Sequence, residues 1–274
     1  MSTKTIVVTR PSGQARQLIE MLTRAIEDSG VSKRSLLEII SLPLLTITPK
    51  SDEHLAIHIQ SALSNADLAI FVSPNAIESV MRLFERDWQE VAKRVIPIGV
   101  MGGSSRLALK NHGIGEEELP TPIIIPKNNE QWDSEGLWNE LQALNSDWRN
   151  KKIVIFKGED GRDWLAEILK KAGATVEPIS TYSRVPLDIE NPAWQAIWEI
   201  EFRNSLWLLT SSEAVRYLGE VIRDQFTQNL SAASALCLHH NISDAAELIG
   251  FGEVFTSEPG DEALIKSALA WLSI

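Results

Sequence analysis

The 274-residue chain is 44% hydrophobic and 23% charged, which excludes disordered, collagen-like and membrane-spanning classes. Its formal charge of −11 provides no field to draw in nucleic acid or an anionic membrane, so neither is expected as a partner. The single cysteine, Cys237, excludes an internal disulfide or a cysteine-cluster metal site, and the first apolar run is only Ile6-Val7-Val8, so a cytoplasmic protein is expected.

In chain order, short β-branched runs alternate with stretches of helical period. Ile6-Val7-Val8 precedes a helix over Gln14 to Ile26; Leu68 to Val72 precedes one over Asn75 to Glu85; Val95 to Val100 precedes one over Ser104 to Asn111. The rhythm continues through Ile123-Ile124-Ile125 and Ile153-Val154-Ile155-Phe156. Strands apolar at nearly every position are buried on both faces, so the class is α/β, with doubly wound parallel sheets.

The two halves of the chain parallel each other. Ile6 to Arg10 matches Ile153 to Lys157, Phe71-Val72-Ser73-Pro74-Asn75-Ala76 matches Leu209-Thr210-Ser211-Ser212-Glu213-Ala214, Ile98 to Gly113 matches Leu236 to Gly252, and Ile123 to Pro126 matches Val254 to Ser257. A period this long indicates a duplicated domain rather than a solenoid. Proline-bearing extended segments, Leu42 to Pro49 and Ile179 to Pro186, are the expected crossings between two similar lobes. The expected division is a discontinuous lobe, 1–44 with 186–274, and a continuous lobe, 45–185, with a ligand cleft between them.

Open α/β sheets bind ligands beyond the carboxyl ends of their strands, where helix N-termini expose unpaired N–H groups. Ser73-Pro74-Asn75 and Thr210-Ser211-Ser212 stand at such ends in equivalent places, either as plain helix caps or as donors to an anion. Gly102-Gly103-Ser104-Ser105 ends another strand and allows backbone to approach a ligand. Gly99, Gly102 and Gly103 do not make the G-x-G-x-x-G of a dinucleotide site, which disfavours a nucleotide-dependent oxidoreductase. Lys157-Gly158-Glu159-Asp160-Gly161 lacks the spacing that cradles a nucleotide triphosphate; it reads as a turn, with Lys157 able to reach an anion. His239 and His240 would face opposite sides of a strand and lack further ligands, so no metal is expected. Tyr182, in a crossing segment at the expected mouth of the cleft, is either a packed residue or a phenol that donates a proton.

Six segments together resemble the uroporphyrinogen-III synthase family: Val7-Val8-Thr9-Arg10-Pro11, Phe71 to Ala76, the Gly102-x-x-Ser105 turn with Leu109 and Gly113, Gly173-Ala174-Thr175-Val176, Tyr182-x-Arg184, and Leu209 to Val215. The family's Gly-x-x-Thr turn is Gly-x-x-Ser here, and its C-terminal counterpart becomes His239-His240-Asn241-Ile242-Ser243. The resemblance implies two lobes joined by a two-stranded linker, the first strand-helix-strand unit packing with the C-terminal half, and no cofactor. It implies a lyase that cyclises the linear tetrapyrrole hydroxymethylbilane with inversion of ring D, through loss of water and a spiro intermediate. Tyr182 matches the family's tyrosine proposed to assist departure of the hydroxyl. An octacarboxylate substrate suits helix N-termini, hydroxyls and the cations Arg10 and Lys157. The chain is expected to act as a monomer; a non-catalytic, two-lobed anion-binding or sensor protein is the competing expectation.

Overall fold

The apolar runs become strands and the stretches between them helices. A computed structural model of the chain describes residues 3–30, 36–84, 87–115, 121–128, 131–145, 147–160, 162–225 and 230–273. The order is β1 (Lys4–Val8), α1 (Ser12–Ser29), β2 (Leu37–Ser41), β3 (Leu45–Pro49), α2 (Glu53–Ser64), β4 (Leu68–Phe71), α3 (Pro74–Phe84) and α4 (Trp88–Ala92). Next come β5 (Ile98–Val100), α5 (Gly103–Asn111), β6 (Ile123–Ile124), α6 (Ser134–Leu144), β7 (Lys152–Gly158), α7 (Trp164–Lys171) and β8 (Thr175–Pro186). The chain finishes with α8 (Ala193–Glu199), β9 (Ser205–Leu209), α9 (Ser212–Gln225), β10 (Ser234–Cys237), α10 (His240–Leu248), β11 (Glu253–Thr256) and α11 (Asp261–Leu272). Two residues named from the sequence, Glu85 and Gly161, lie outside the described residues.

The chain divides into two compact units, Met1–Thr46 with Val185–Ile274, and Ile47–Arg184. The first is built on a five-stranded sheet of order β11-β10-β9-β1-β2, parallel throughout. The second is built on a six-stranded sheet of order β3-β8-β7-β4-β5-β6. Here β8 to β6 run parallel. β3 departs from the expected all-parallel pattern: Lys50 N donates to Thr181 O while Leu187 N donates to Leu44 O, so β3 and β8 run antiparallel. Consecutive chain crossings can pair this way without the long connection a parallel pair needs.

Alternation along each strand sends side chains to two separate cores. In the first unit Val7, Trp207, Leu209 and Ala235 pack under α8, α9 and α10. Their neighbours Ile6, Val8, Leu206, Leu208 and Leu236 pack under α1 and α11. In α1 the buried residues are Ala15, Leu18, Leu22 and Ile26, the three- and four-residue spacing of one helix face. In the second unit Ala69, Phe71, Val154 and Phe156 meet α2 to α5, while Leu68, Ile70, Ile153 and Ile155 meet α6 and α7. Both sheets are therefore covered on both faces, the doubly wound arrangement that near-continuous apolar strands require.

The segments that parallel each other in sequence occupy corresponding places. Counting outward, the first sheet runs β2-β1-β9-β10-β11 and the second β8-β7-β4-β5-β6, so β1 answers to β7, β2 to β8, β9 to β4, β10 to β5 and β11 to β6. The opening strand-helix-strand of each half has joined the sheet of the other half. In both sheets the strand order reverses beside the central strand, between β1 and β9 and between β7 and β4, which is where open α/β sheets bind ligands.

Cys237 lies fully buried in the middle of this packing, and burial pushes its thiol up to about 11. The thiolate, which is the reactive form, is then nearly absent at pH 8. The native protein should resist a thiol reagent at pH 8 and react quickly in denaturant; rapid labelling of the native chain would contradict the burial.

Candidate active site

The second unit gathers its polar groups where β4 and β7 end side by side. Ser73 follows β4 and caps α3: its Oγ accepts the Ala76 N–H at 3.2 Å, and Pro74 opens the helix, where its missing N–H costs nothing. The Ser73 Oγ also lies 3.0 Å from the Tyr182 hydroxyl. Arg184 Nη2 donates to that hydroxyl at 3.0 Å, with its guanidinium carbon 5.3 Å from the ring centroid.

Two local features bring Tyr182 to Ser73. Between Lys157 and Gly158 the β7–β8 register shifts, from Lys157 opposite Ser180 to Gly158 opposite Tyr182. Without that extra residue, alternation would put Tyr182 on the face of Val176, under α6 and α7. The bulge turns it instead onto the face of Ile179 and Phe156, where α3 begins. The second feature is Gly158 itself. A Cβ there would lie 2.9 Å from two ring carbons of Tyr182 and 3.2 Å from its oxygen, so the tyrosine crosses the end of β7 only because that position has no side chain.

Tyr182 was expected at a cleft mouth, and its placement differs: it is 0% exposed, among the largest fully sealed side chains. Half-buried Ser73 is more open than Tyr182. Lys157 also differs from the expected available cation. It is 7% exposed and ion-paired with Asp163, six residues on. The close approach offered by Gly102 and Gly103 is taken up by Trp132, which a Cβ on these glycines would approach to 2.9 and 2.5 Å. Trp132 is itself 37% exposed. Beyond it, Ser104 is exposed and Ser105 buried in the first turn of α5; Asn75 is half-buried in the first turn of α3.

The first unit repeats the arrangement at the ends of β1 and β9. Ser211 Oγ accepts the Ala214 N–H at 3.3 Å and Ser212 donates to Asn241 O at 3.0 Å. Thr210 is half-buried beside them. Thr9 donates to Leu208 O at 2.7 Å, tying the two strands together at this edge. Arg10 is held by Asp261 at 2.7 Å, a carboxylate that also complements the start of α11. His239 and His240 do not lie in a strand: β10 stops at Cys237, His239 caps α10 by accepting from Asn241 N, and the two rings stand 4.0 Å apart. Among the described residues no group of three or more His, Cys, Asp or Glu is placed to hold a metal ion, and no helix is long and apolar enough to cross a membrane.

These features define a class: an α/β protein of two doubly wound units, each presenting capped helix starts and hydroxyls where its strand order reverses. A family model described as uroporphyrinogen-III synthase HemD matches residues 12–266, and the chain belongs to that family. It is 22% identical over 269 residues to the uroporphyrinogen-III synthase of Escherichia coli K12, covering 96% of this chain and 99% of that one. The fold is shared with a mutant uroporphyrinogen III synthase of Thermus thermophilus and with the uroporphyrinogen-III synthetase of Helicobacter pylori. Each gives a TM-score of 0.59 at 14% identity, covering 98% of this chain and 99% of the other.

Because the Tyr182 ring is packed and cannot swing aside cheaply, Gly158→Ala should lower stability by about 1–3 kcal/mol. Urea denaturation measures this; an unchanged midpoint would mean that the ring does not depend on the glycine.

Proposed function

We propose that the protein is a lyase that converts hydroxymethylbilane to uroporphyrinogen III. The observation that carries this reading is the near end-to-end family match combined with the Ser73–Tyr182–Arg184 cluster at a strand-order reversal. Departure of the substrate hydroxyl as water gives an electrophilic azafulvene. The substituted carbon of ring D attacks it to form a spiro intermediate, and fragmentation and recombination deliver the inverted ring.

Little acid or base machinery is required once the bilane is folded so that the substituted carbon is in reach, which is catalysis by positioning. The carboxylates are assigned to the backbone N–H groups and hydroxyls around Ser73, Pro74 and Asn75, Gly102, Ser104 and Ser105, and Thr210, Ser211 and Ser212. Arg10 and Lys157 take part while keeping their aspartate partners, so each presents a partly neutralised charge. Tyr182 supplies the proton for the leaving hydroxyl.

Incubation with hydroxymethylbilane should give the type III isomer, where the uncatalysed reaction gives type I. Type I alone would leave the anion-binding reading standing. Tyr182→Phe keeps the ring's packing and removes only the hydroxyl, so kcat should fall by about 10²-fold, the low end of general-acid assistance, with type III selectivity retained. A parental rate across pH would return Tyr182 to packing alone.

A further inference from the structure

The hydroxyl pair at the β4–β7 reversal has a direction. A guanidinium has no acceptor atom, so the Tyr182 oxygen accepts where Arg184 Nη2 meets it at 3.0 Å. Ser73 Oγ, 3.0 Å from the same oxygen, already accepts from Ala76 N. Two orders of the hydroxyl hydrogens can join serine and tyrosine. If Ser73 donates, the phenol hydrogen must find another acceptor on a residue that is 0% exposed; an unmade buried hydrogen bond costs about 1–3 kcal/mol. If Tyr182 donates, the phenol is satisfied on both sides, and the hydrogen left over belongs to Ser73, the less buried of the two.

We infer that Ser73 is the group that hands the proton to the substrate, and that Tyr182, held by Arg184, acts through it. This rests on the activity proposed above and names the route by which the proton travels. The C–O bond of the hydroxymethyl group breaks with both electrons going to oxygen, which takes the Ser73 hydrogen. Ser73 takes the Tyr182 hydrogen in the same movement, and the phenolate is left facing Arg184. The pyrrole nitrogen lone pair supplies the new exocyclic double bond, and water departs. When the closing ring loses its α hydrogen to regain aromaticity, that proton returns through Ser73 to the phenolate. Ser73 is then the catalytic residue, and Tyr182 and Arg184 are positioning residues behind it.

The test is a double-mutant cycle on hydroxymethylbilane turnover, with the parent chain's type III activity established first so that failure of the activity and failure of the relay are separate results. Ser73→Ala and Tyr182→Phe should each lower kcat by about 10²-fold, with KM unchanged in Tyr182→Phe and raised by no more than about tenfold in Ser73→Ala, whose hydroxyl also stands among the carboxylate-binding groups. The double variant should stay within about twofold of the weaker single, since both remove the same path. Ser73→Ala also removes a helix cap, so two further variants separate the roles. Ser73→Thr, which keeps a hydroxyl, should restore most of kcat. Ser73→Asn, which keeps a capping oxygen but carries only amide hydrogens that are not acidic enough to relay, should not. Losses that multiply in the double variant, parental kcat in Ser73→Ala, or rescue by Ser73→Asn would each overturn the relay.

Discussion

Strands covered on both faces leave polar side chains only the strand ends, and this constraint organises the molecule. A buried polar group without a partner costs about 1–3 kcal/mol, so the interiors of β1, β4, β5, β7, β9 and β10 are nearly all apolar. Hydroxyls and charges collect where the strands stop. Parallel pairing puts those stops on one edge of each sheet, and the helices that follow begin there, so N–H groups and side-chain oxygens converge. Ser73, Ser105, Lys157, Thr210 and Ser211 all stand at this edge because the rest of the sheet excludes them.

Much of this was legible because it is local. The strand runs, the duplication and the caps at Ser73 and Ser211 depend on neighbours within a few residues. What the sequence hid depends on contacts far along the chain or on a change of phase. Arg10 reads as an available cation, yet its partner, Asp261, is near the other end of the chain. Gly102 and Gly103 read as an approach for a ligand, and Trp132 fills that space. The bulge at Lys157–Gly158 leaves no signature in the residues, and it reverses the face on which Tyr182 lies. The histidine pair misleads differently: an apolar run before it suggests continuing strand, but β10 stops at Cys237, one residue before that run ends, and both histidines fall at the start of α10.

Gly158 connects fold and chemistry at one atom's absence. It ends β7, one of the two middle strands of the second sheet, and the tyrosine ring passes over it to reach the residue that caps α3. Backbone register, a missing side chain and a helix cap thus fix one hydroxyl against another, with only the two-residue turn from β4 to α3 between rigid elements. A constellation built on rigid elements keeps its geometry without help from the ligand.

The reciprocal exchange of strand-helix-strand units bears on how the chain is made. On the ribosome, β1, α1 and β2 emerge well before β9, at Ser205–Leu209, which β1 needs before its second edge is paired. The whole Ile47–Arg184 unit is translated in between. At synthesis rates of about 5–20 residues per second, the apolar faces of α1 and β1 stay uncovered for on the order of ten seconds or more. The inserted unit is complete in the nascent chain before the unit whose sequence flanks it can close, so β1, α1 and β2 wait through its whole synthesis for the strands and helices that bury them.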